Sequence, residues 1–258
     1  MLYGAIIGDI AGSRFEREPN PKKKTFELFH PRNKYTDDSV MTIAVYEATK
    51  EIIRTQCDDT VAQQIYVKYL RKWGRLYPNA GYGIRFNRWL YSENPQPYNS
   101  WGNGSAMRVS AIGYLFDNLT ETEKYAKLSA EVTHNHPEGI RGAIAIAGAI
   151  YLARTTHSKR KIKKYIKQLN YKLRPNILVR PKYEFDVSCQ GTIPVAIESF
   201  LESKSFEDAI RNAVSMGGDS DTIAAITGSI AEAYYEIPNS FITECHKYLD
   251  NELLTTVQ

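Results

Sequence analysis

The sequence predicts an all-α protein, built as a single compact multi-helix domain over residues 1–258. Apolar residues recur at helical spacing through nearly the whole chain. Alternating apolar and polar runs long enough for strands are scarce, and no composition shift or low-complexity stretch marks a linker. The chain has 258 residues, 43% hydrophobic and 24% charged, which excludes a disordered or fibrous protein and suffices for a sizeable core.

Taken in order, residues 3–13 are small and apolar, suiting a buried, tightly packed helix. Residues 37–55 place Val40, Ile43, Ala44, Ala48 and Ile52 on one stripe, and residues 59–72 repeat this with Val61, Ile65 and Leu70. A further helix is expected over residues 105–116. The next, over residues 120–133, opens with Thr120 and Glu123 at capping-box spacing. Residues 138–153 contain the longest apolar run, which is too short to span a bilayer and reads as a core helix. Helices over 192–202, 205–215, 221–235 and 240–250 complete the set. The one strand candidate is Ile177-Leu178-Val179. Turns are expected at Asn20-Pro21, Pro78-Asn79, Asn94-Pro95 and Pro238-Asn239.

The three cysteines, Cys57, Cys189 and Cys245, are too scattered for a disulfide framework or a thiolate metal site. With an N-terminus that lacks a basic leader, they point to a cytoplasmic protein without a membrane anchor. Charge is uneven. Residues 158–182 hold ten Lys or Arg and no acid, while the rest of the chain has 23 bases against 29 acids. Ile162, Tyr165, Ile166 and Leu169 recur at helical spacing there, so the segment reads as an amphipathic surface helix whose basic face is solvated. Nucleic acid or an acidic protein is the alternative partner for that face.

Four clusters carry chemistry. Thr36-Asp37-Asp38-Ser39 and Gly217-Gly218-Asp219-Ser220-Asp221-Thr222 each stand directly before an apolar helix. Capping explains one Asp or Thr per site. It does not explain paired carboxylates, which repel unless a cation neutralises them. Hard divalent ions favour such oxygen donors, and the two clusters together would offer enough for two ions. The third cluster, Ser100-Trp101-Gly102-Asn103-Gly104-Ser105-Ala106-Met107-Arg108, is a glycine-rich turn whose backbone N–H groups suit phosphate; a plain tight turn is its other reading. The fourth is Thr133-His134-Asn135-His136-Pro137. It lacks a third zinc-type ligand nearby, so its histidines suit substrate hydrogen bonding or capping of a helix C-terminus.

In this order, together with residues 4–16 (GAIIGDIAGSRFE), these blocks resemble the ADP-ribosylglycohydrolases, the family of dinitrogenase-reductase-activating glycohydrolase and the ADP-ribosyl-acceptor hydrolases. The blocks extend over nearly the whole chain. The resemblance implies an all-α fold of that family's type, with two Mg²⁺ (or Mn²⁺) ions held by Thr36, Asp37, Asp38, Asp219, Asp221 and Thr222. It implies a gating or assisting role for Glu16 and places Asp221 between the ions. It assigns the diphosphate to Gly102, Asn103, Gly104, Ser105, Ala106 and Met107, and sets His134 and His136 against the bound ADP-ribose. Glu16, Asp38 and Asp221 are then the catalytic candidates, with Asp38 or Glu16 taking the proton of the attacking water. The implied activity is hydrolysis of the bond between ADP-ribose and an acceptor, an arginine side chain of a protein first. A non-hydrolysing ADP-ribose-binding module, or a hydrolase of ADP-ribosylated nucleic acid or small molecules, is the alternative. Ser39 and Ser220 depart from the family's usual Thr but keep a hydroxyl, and Glu232 stands where small residues are common.

Overall fold

The computed structural model describes residues 1–17 and 22–258, so the turn expected at Asn20-Pro21 lies outside the described residues. The helices are α1 (Tyr3–Arg17), α2 (Asp37–Thr55), α3 (Asp59–Leu76), α4 (Ile84–Tyr91), α5 (Ser110–Leu115), α6 (Leu119–Glu131), α7 (Pro137–Thr156), α8 (Lys159–Gln168), α9 (Asn176–Val179), α10 (Cys189–Leu201), α11 (Phe206–Val214), α12 (Ser220–Glu232), α13 (Asn239–His246) and α14 (Asn251–Val257). Among the described residues there is no strand, only an isolated bridge between Gly102 and Ser188. Among the described residues no helix is long and apolar enough to cross a membrane.

The two ends of the chain meet through small residues. Gly4, Gly8 and Gly12 lie one turn apart on α1. A Cβ on Gly4 would stand 2.2 Å from the Gly228 carbonyl oxygen, on Gly8 2.1 Å from that of Ala224, and on Gly12 2.4 Å from that of Ser220. The partner number falls as the α1 number rises, so α1 and α12 run antiparallel with their backbones in contact, an approach only glycine permits. This register sets the C-terminal half of α1, with Glu16, beside the N-terminus of α12, with Asp219 and Asp221. Gly8→Val must force the two backbones apart. Overpacking of this kind costs about 3 kcal/mol, and a drop in melting temperature of about 10 °C is expected. An unchanged melting temperature would mean that α1 and α12 do not touch at Gly8.

Glu232 also acts at this pairing. It accepts the Gly4 backbone N–H (2.9 Å) and pairs with the Met1 amino group (2.9 Å), so it is a clamp on the start of α1. The stripe predicted on α2 and most residues of α7 and α12 are buried in the core that surrounds this pair. Cys189 and Cys245 are buried and Cys57 is partly so; all three are free thiols.

Several local expectations are corrected. Ile177-Leu178-Val179 belongs to α9, not to a strand; Pro175 precedes the helix, and Asn176 is tied to Ser199 (3.0 Å) and Glu202 (2.9 Å). The basic segment is helical only over α8, because Asn170 turns left-handed (φ 63°) and ends it, after which the chain runs through α9 and a 3-10 turn at Arg180–Lys182. The cap of α6 is Asn118, which accepts the Glu121 N–H (2.8 Å) and donates to the Glu121 carboxylate (2.7 Å), two residues before the expected box. Residues 105–116 are not one helix. Asn103 O accepts from both Ala106 and Met107, closing a tight turn, and the helix starts only at Ser110. Helices α4 and α14 carry no expectation in the sequence; both are short, and α4 has no side-chain cap.

Candidate active site and metal centre

Two helix N-termini converge on the site. Thr36 is the N-cap of α2, and Asp37 and Asp38 occupy the first turn of α2. Asp221 occupies the first turn of α12, so all three carboxylates sit at the positive end of a helix dipole. Gly217 and Gly218 both take positive φ (72° and 67°), and a Cβ on Gly218 would meet the Glu184 carbonyl at 2.8 Å. That double left-handed turn aims Asp219 inward. Asp219 makes no capping bond of its own; instead it accepts from Asn103 Nδ2 at 2.6 Å, which joins the last cluster to the glycine loop.

Residues 37–38 and 219–222 come together. Thr222 Oγ1 donates to Asp38 Oδ2 at 3.0 Å. Carboxylate oxygens of Asp9, Asp38 and Asp221 lie within 4.8 Å of one another, and all three residues are buried. Asp9 has no assigned role in the sequence reading, yet it lies under the cluster. Its Oδ2 accepts the backbone N–H groups of Thr36 (2.8 Å) and Ser39 (3.0 Å) and the Ser39 hydroxyl, and its Oδ1 accepts the Thr36 hydroxyl (2.8 Å). A hydroxyl has one proton. Thr36 gives its proton to Asp9 rather than to Asp38 Oδ2 at 3.3 Å, which leaves the Thr36 lone pairs for other partners.

The electrostatics are those of crowded, buried anions. Burial pushes Asp9 up to about 6 against its four donors. Burial, with Asp9 and Asp219 nearby, pushes Asp37 up to about 8. Burial and the neighbouring carboxylates hold Asp38 and Asp221 well above the usual range, and burial raises Asp219. No Lys or Arg among the described residues forms an ion pair with any of these five. Asp38 Oδ1 is buried and has no hydrogen-bond partner. An orphaned carboxylate oxygen among uncompensated anions is a donor set in want of a cation, and its all-oxygen chemistry fits a hard divalent ion.

The cluster opens into a cavity of about 450 Å³. Glu16, Thr36, Asp37, Asp38, Asp219, Asp221 and Thr222 line it, as do Gly102, Asn103, Gly104, Met107 and His134. Ser105, Ala106 and His136 do not. Ser105 Oγ is turned to the Gly139 carbonyl (2.7 Å), and Ala106 is fully buried. His136 Nδ1 accepts the Glu138 N–H (3.1 Å), so it caps the N-terminus of α7 rather than the C-terminus of α6. The loop N–H groups of Asn103, Ala106 and Met107 are already bonded to Val187 O and Asn103 O, which leaves less of the loop for an anion than its composition suggested.

His134 is buried, its Nδ1 2.8 Å from Thr133 Oγ1, which Arg108 Nη2 also donates to (2.8 Å). Burial, with Arg108 and Arg85 nearby, holds His134 well below its usual pKa, so the ring is neutral. Its Nε2 faces the glycine loop, where a Cβ on Gly104 would stand 3.1 Å away. Another part of the wall, from Ala80 to Phe86 with Tyr98, has no motif in the sequence. Arg85 stacks over the Tyr98 ring there at 5.1 Å.

Comparison with known proteins agrees with this architecture. The chain is 26% identical to the ADP-ribosylhydrolase ARH3 of Homo sapiens, in an alignment of 338 positions that covers 98% of this chain and 90% of that protein. It is 23% identical over 268 residues to an ADP-ribosylarginine hydrolase of Pseudomonas putida (strain GB-1), covering 92% of this chain and 70% of that protein. Among solved structures, a chain of an ADP-ribosylglycohydrolase-related protein complex shares the fold with a TM-score of 0.69 at 22% identity, covering 98% of this chain and 92% of that one. The family model for ADP-ribosylglycohydrolase matches residues 1–257, and the chain belongs to the ADP-ribosylglycohydrolase family.

Proposed function

We propose that the protein is a divalent-metal-dependent hydrolase that cleaves the glycosidic bond between ADP-ribose and an acceptor, with a protein side chain, arginine first, as that acceptor. The observation that carries this reading is the meeting of Asp38 and Asp221, over the buried Asp9, at the wall of a cavity that the glycine loop also lines. Thr36, Asp37, Asp38, Asp219, Asp221 and Thr222 would hold two ions, Mg²⁺ or Mn²⁺. Bound there, such ions supply Lewis acidity toward the ribose hydroxyls and the attacking water.

The chain's own residues do the rest. Asp9 fixes Thr36 and Ser39, so it positions the α2 cluster without touching substrate. Asn103 orients Asp219 while its loop lies against the diphosphate. Neutral His134 faces the same loop without adding charge. Cleavage at the anomeric carbon passes through an oxocarbenium-like state, which buried carboxylates beside the ribose stabilise. The water's proton has two acceptors at the cavity wall, Asp38 and Glu16.

The test is a hydrolysis panel of ADP-ribosylarginine, ADP-ribosylserine and an ADP-ribosylated oligonucleotide, each with and without Mg²⁺. Release of ADP-ribose from the arginine substrate is expected. A chelator should abolish it, and Mg²⁺ or Mn²⁺ should restore it. Activity indifferent to chelation, or binding of ADP-ribose without turnover of any substrate, overturns the reading.

A further inference from the structure

The surface running from α8 to the cavity mouth has a character that hydrolysis at the metal centre does not use. On α3, a run of cations is spent internally: Lys68 pairs with Glu51 (2.9 Å), Lys72 with Glu47 (3.1 Å), and Arg71 and Arg75 donate to Leu90 O (3.1 and 3.0 Å). On α8, Arg160, Lys164 and Lys167 form one exposed face, and among the described residues no acid pairs with any of them. Two of the most exposed aliphatic side chains among the described residues, Ile177 (76% exposed) and Leu178 (69%), stand on α9. The two features flank one end of α10: Lys163 pairs with Glu198 (3.3 Å), and Asn176 bonds to Ser199 and Glu202.

From there the chain returns along α10, with Tyr183 Oη bonded to Gly191 O (3.3 Å), and delivers Phe185 and Val187 to the cavity wall. Glu184 abuts Gly218, beside Asp219, so this lip stands at the carboxylate end of the cavity, where the acceptor would leave. Ten helical residues separate Ser199 from Cys189, about 15 Å. An extended polypeptide covers that distance in about five residues.

We infer that this strip docks the acceptor as an acidic polypeptide segment, its apolar side chains against Ile177 and Leu178 and its carboxylates against α8. The inference rests on the hydrolase reading for its geometry. Charge complementarity favours an anionic partner at α8 and α9, which lie within a segment of ten bases and no acids, while the rest of the chain, Glu184 and Asp186 of the lip included, is net acidic. Exposed aliphatic anchors rimmed by charge favour polypeptide over nucleic acid, since α8 and α9 present no exposed aromatic ring for base stacking and Phe185 stands alone at the lip.

Two exposed double variants test it, Ile177→Ser with Leu178→Ser, and Lys164→Glu with Lys167→Glu. Three substrates are compared: ADP-ribosylarginine, a peptide carrying acidic and aliphatic residues four to seven positions from the ADP-ribosylated arginine, and an ADP-ribosylated single-stranded oligonucleotide. Either variant should raise KM for the peptide about tenfold, with kcat and the ADP-ribosylarginine kinetics unchanged. Cutting the peptide to two residues either side of the arginine should erase the difference. Unchanged peptide kinetics in both variants overturn the inference, as does a KM rise confined to the oligonucleotide. A fluorescent peptide of the same sequence without ADP-ribose separates docking from turnover. Its affinity at low salt should fall about tenfold in each variant even where the protein hydrolyses nothing. Failure of the wild-type protein to bind it also overturns the inference.

Discussion

Asp221→Asn is expected to lower kcat by a factor of about a thousand or more while leaving the fold intact. Asn keeps the shape and one acceptor oxygen but removes the charge. At Asp221 burial disfavours that charge, and Asp219, Asp38, Asp9 and Glu16 press on it further. Loss of a thousandfold corresponds to about 4 kcal/mol of transition-state stabilisation, larger than the ten- to hundredfold typical of residues that only support a ligand. A second readout moves the other way. In metal-free protein the substitution relieves a repulsive cluster, so the melting temperature should rise, not fall. Loss of activity with a raised metal-free melting temperature isolates chemistry from misfolding. Retained full activity sinks the metal role, and a lowered metal-free melting temperature sinks the account of crowding.

The fold class was legible because helix periodicity is local, as in the apolar stripe of α2, and because the apolar run of α7 has a core helix's length. The carboxylate pairs were legible for the same reason: two acids side by side before an apolar helix conflict with simple capping at short range. Asp9 was not. It is a single acid inside an apolar helix, and its partners, Thr36 and Ser39, are nearly thirty residues away. Only the close antiparallel packing of α1 on α12 and the contact of α1 with α2 give it a place. The wall from Ala80 to Phe86 left no trace either, because a residue that lines a cavity by position alone carries no motif. Ile177-Leu178-Val179 misled for a related reason. Three apolar residues suit a buried strand, and here two of them face solvent on a single helical turn. Exposed aliphatics cannot be told from core ones without the tertiary fold.

The same crowding fixes how the metal-free protein responds to pH. Asp9 rises to about 6, Asp37 to about 8, and Asp38, Asp219 and Asp221 also lie above the 3.8 expected of a free aspartate. In the unfolded chain these groups lose their protons near pH 4. Between that point and about pH 8 these five groups bind more protons in the folded protein than in the unfolded chain and so make stability fall as pH rises; the buried, neutral His134 opposes them only up to about its ordinary 6.5. With chelator present, the melting temperature should drop by at least about 5 °C from pH 5 to pH 8. Saturating Mg²⁺ or Mn²⁺ should remove most of that slope, because a cation takes the place of the protons and its own binding tightens as they leave. The measurement is a set of thermal unfolding curves at constant ionic strength, with and without metal. A metal-free melting temperature that climbs from pH 5 to pH 8 would mean that the five aspartates find compensation other than protons, and the case for a cation at this cluster would fall with it.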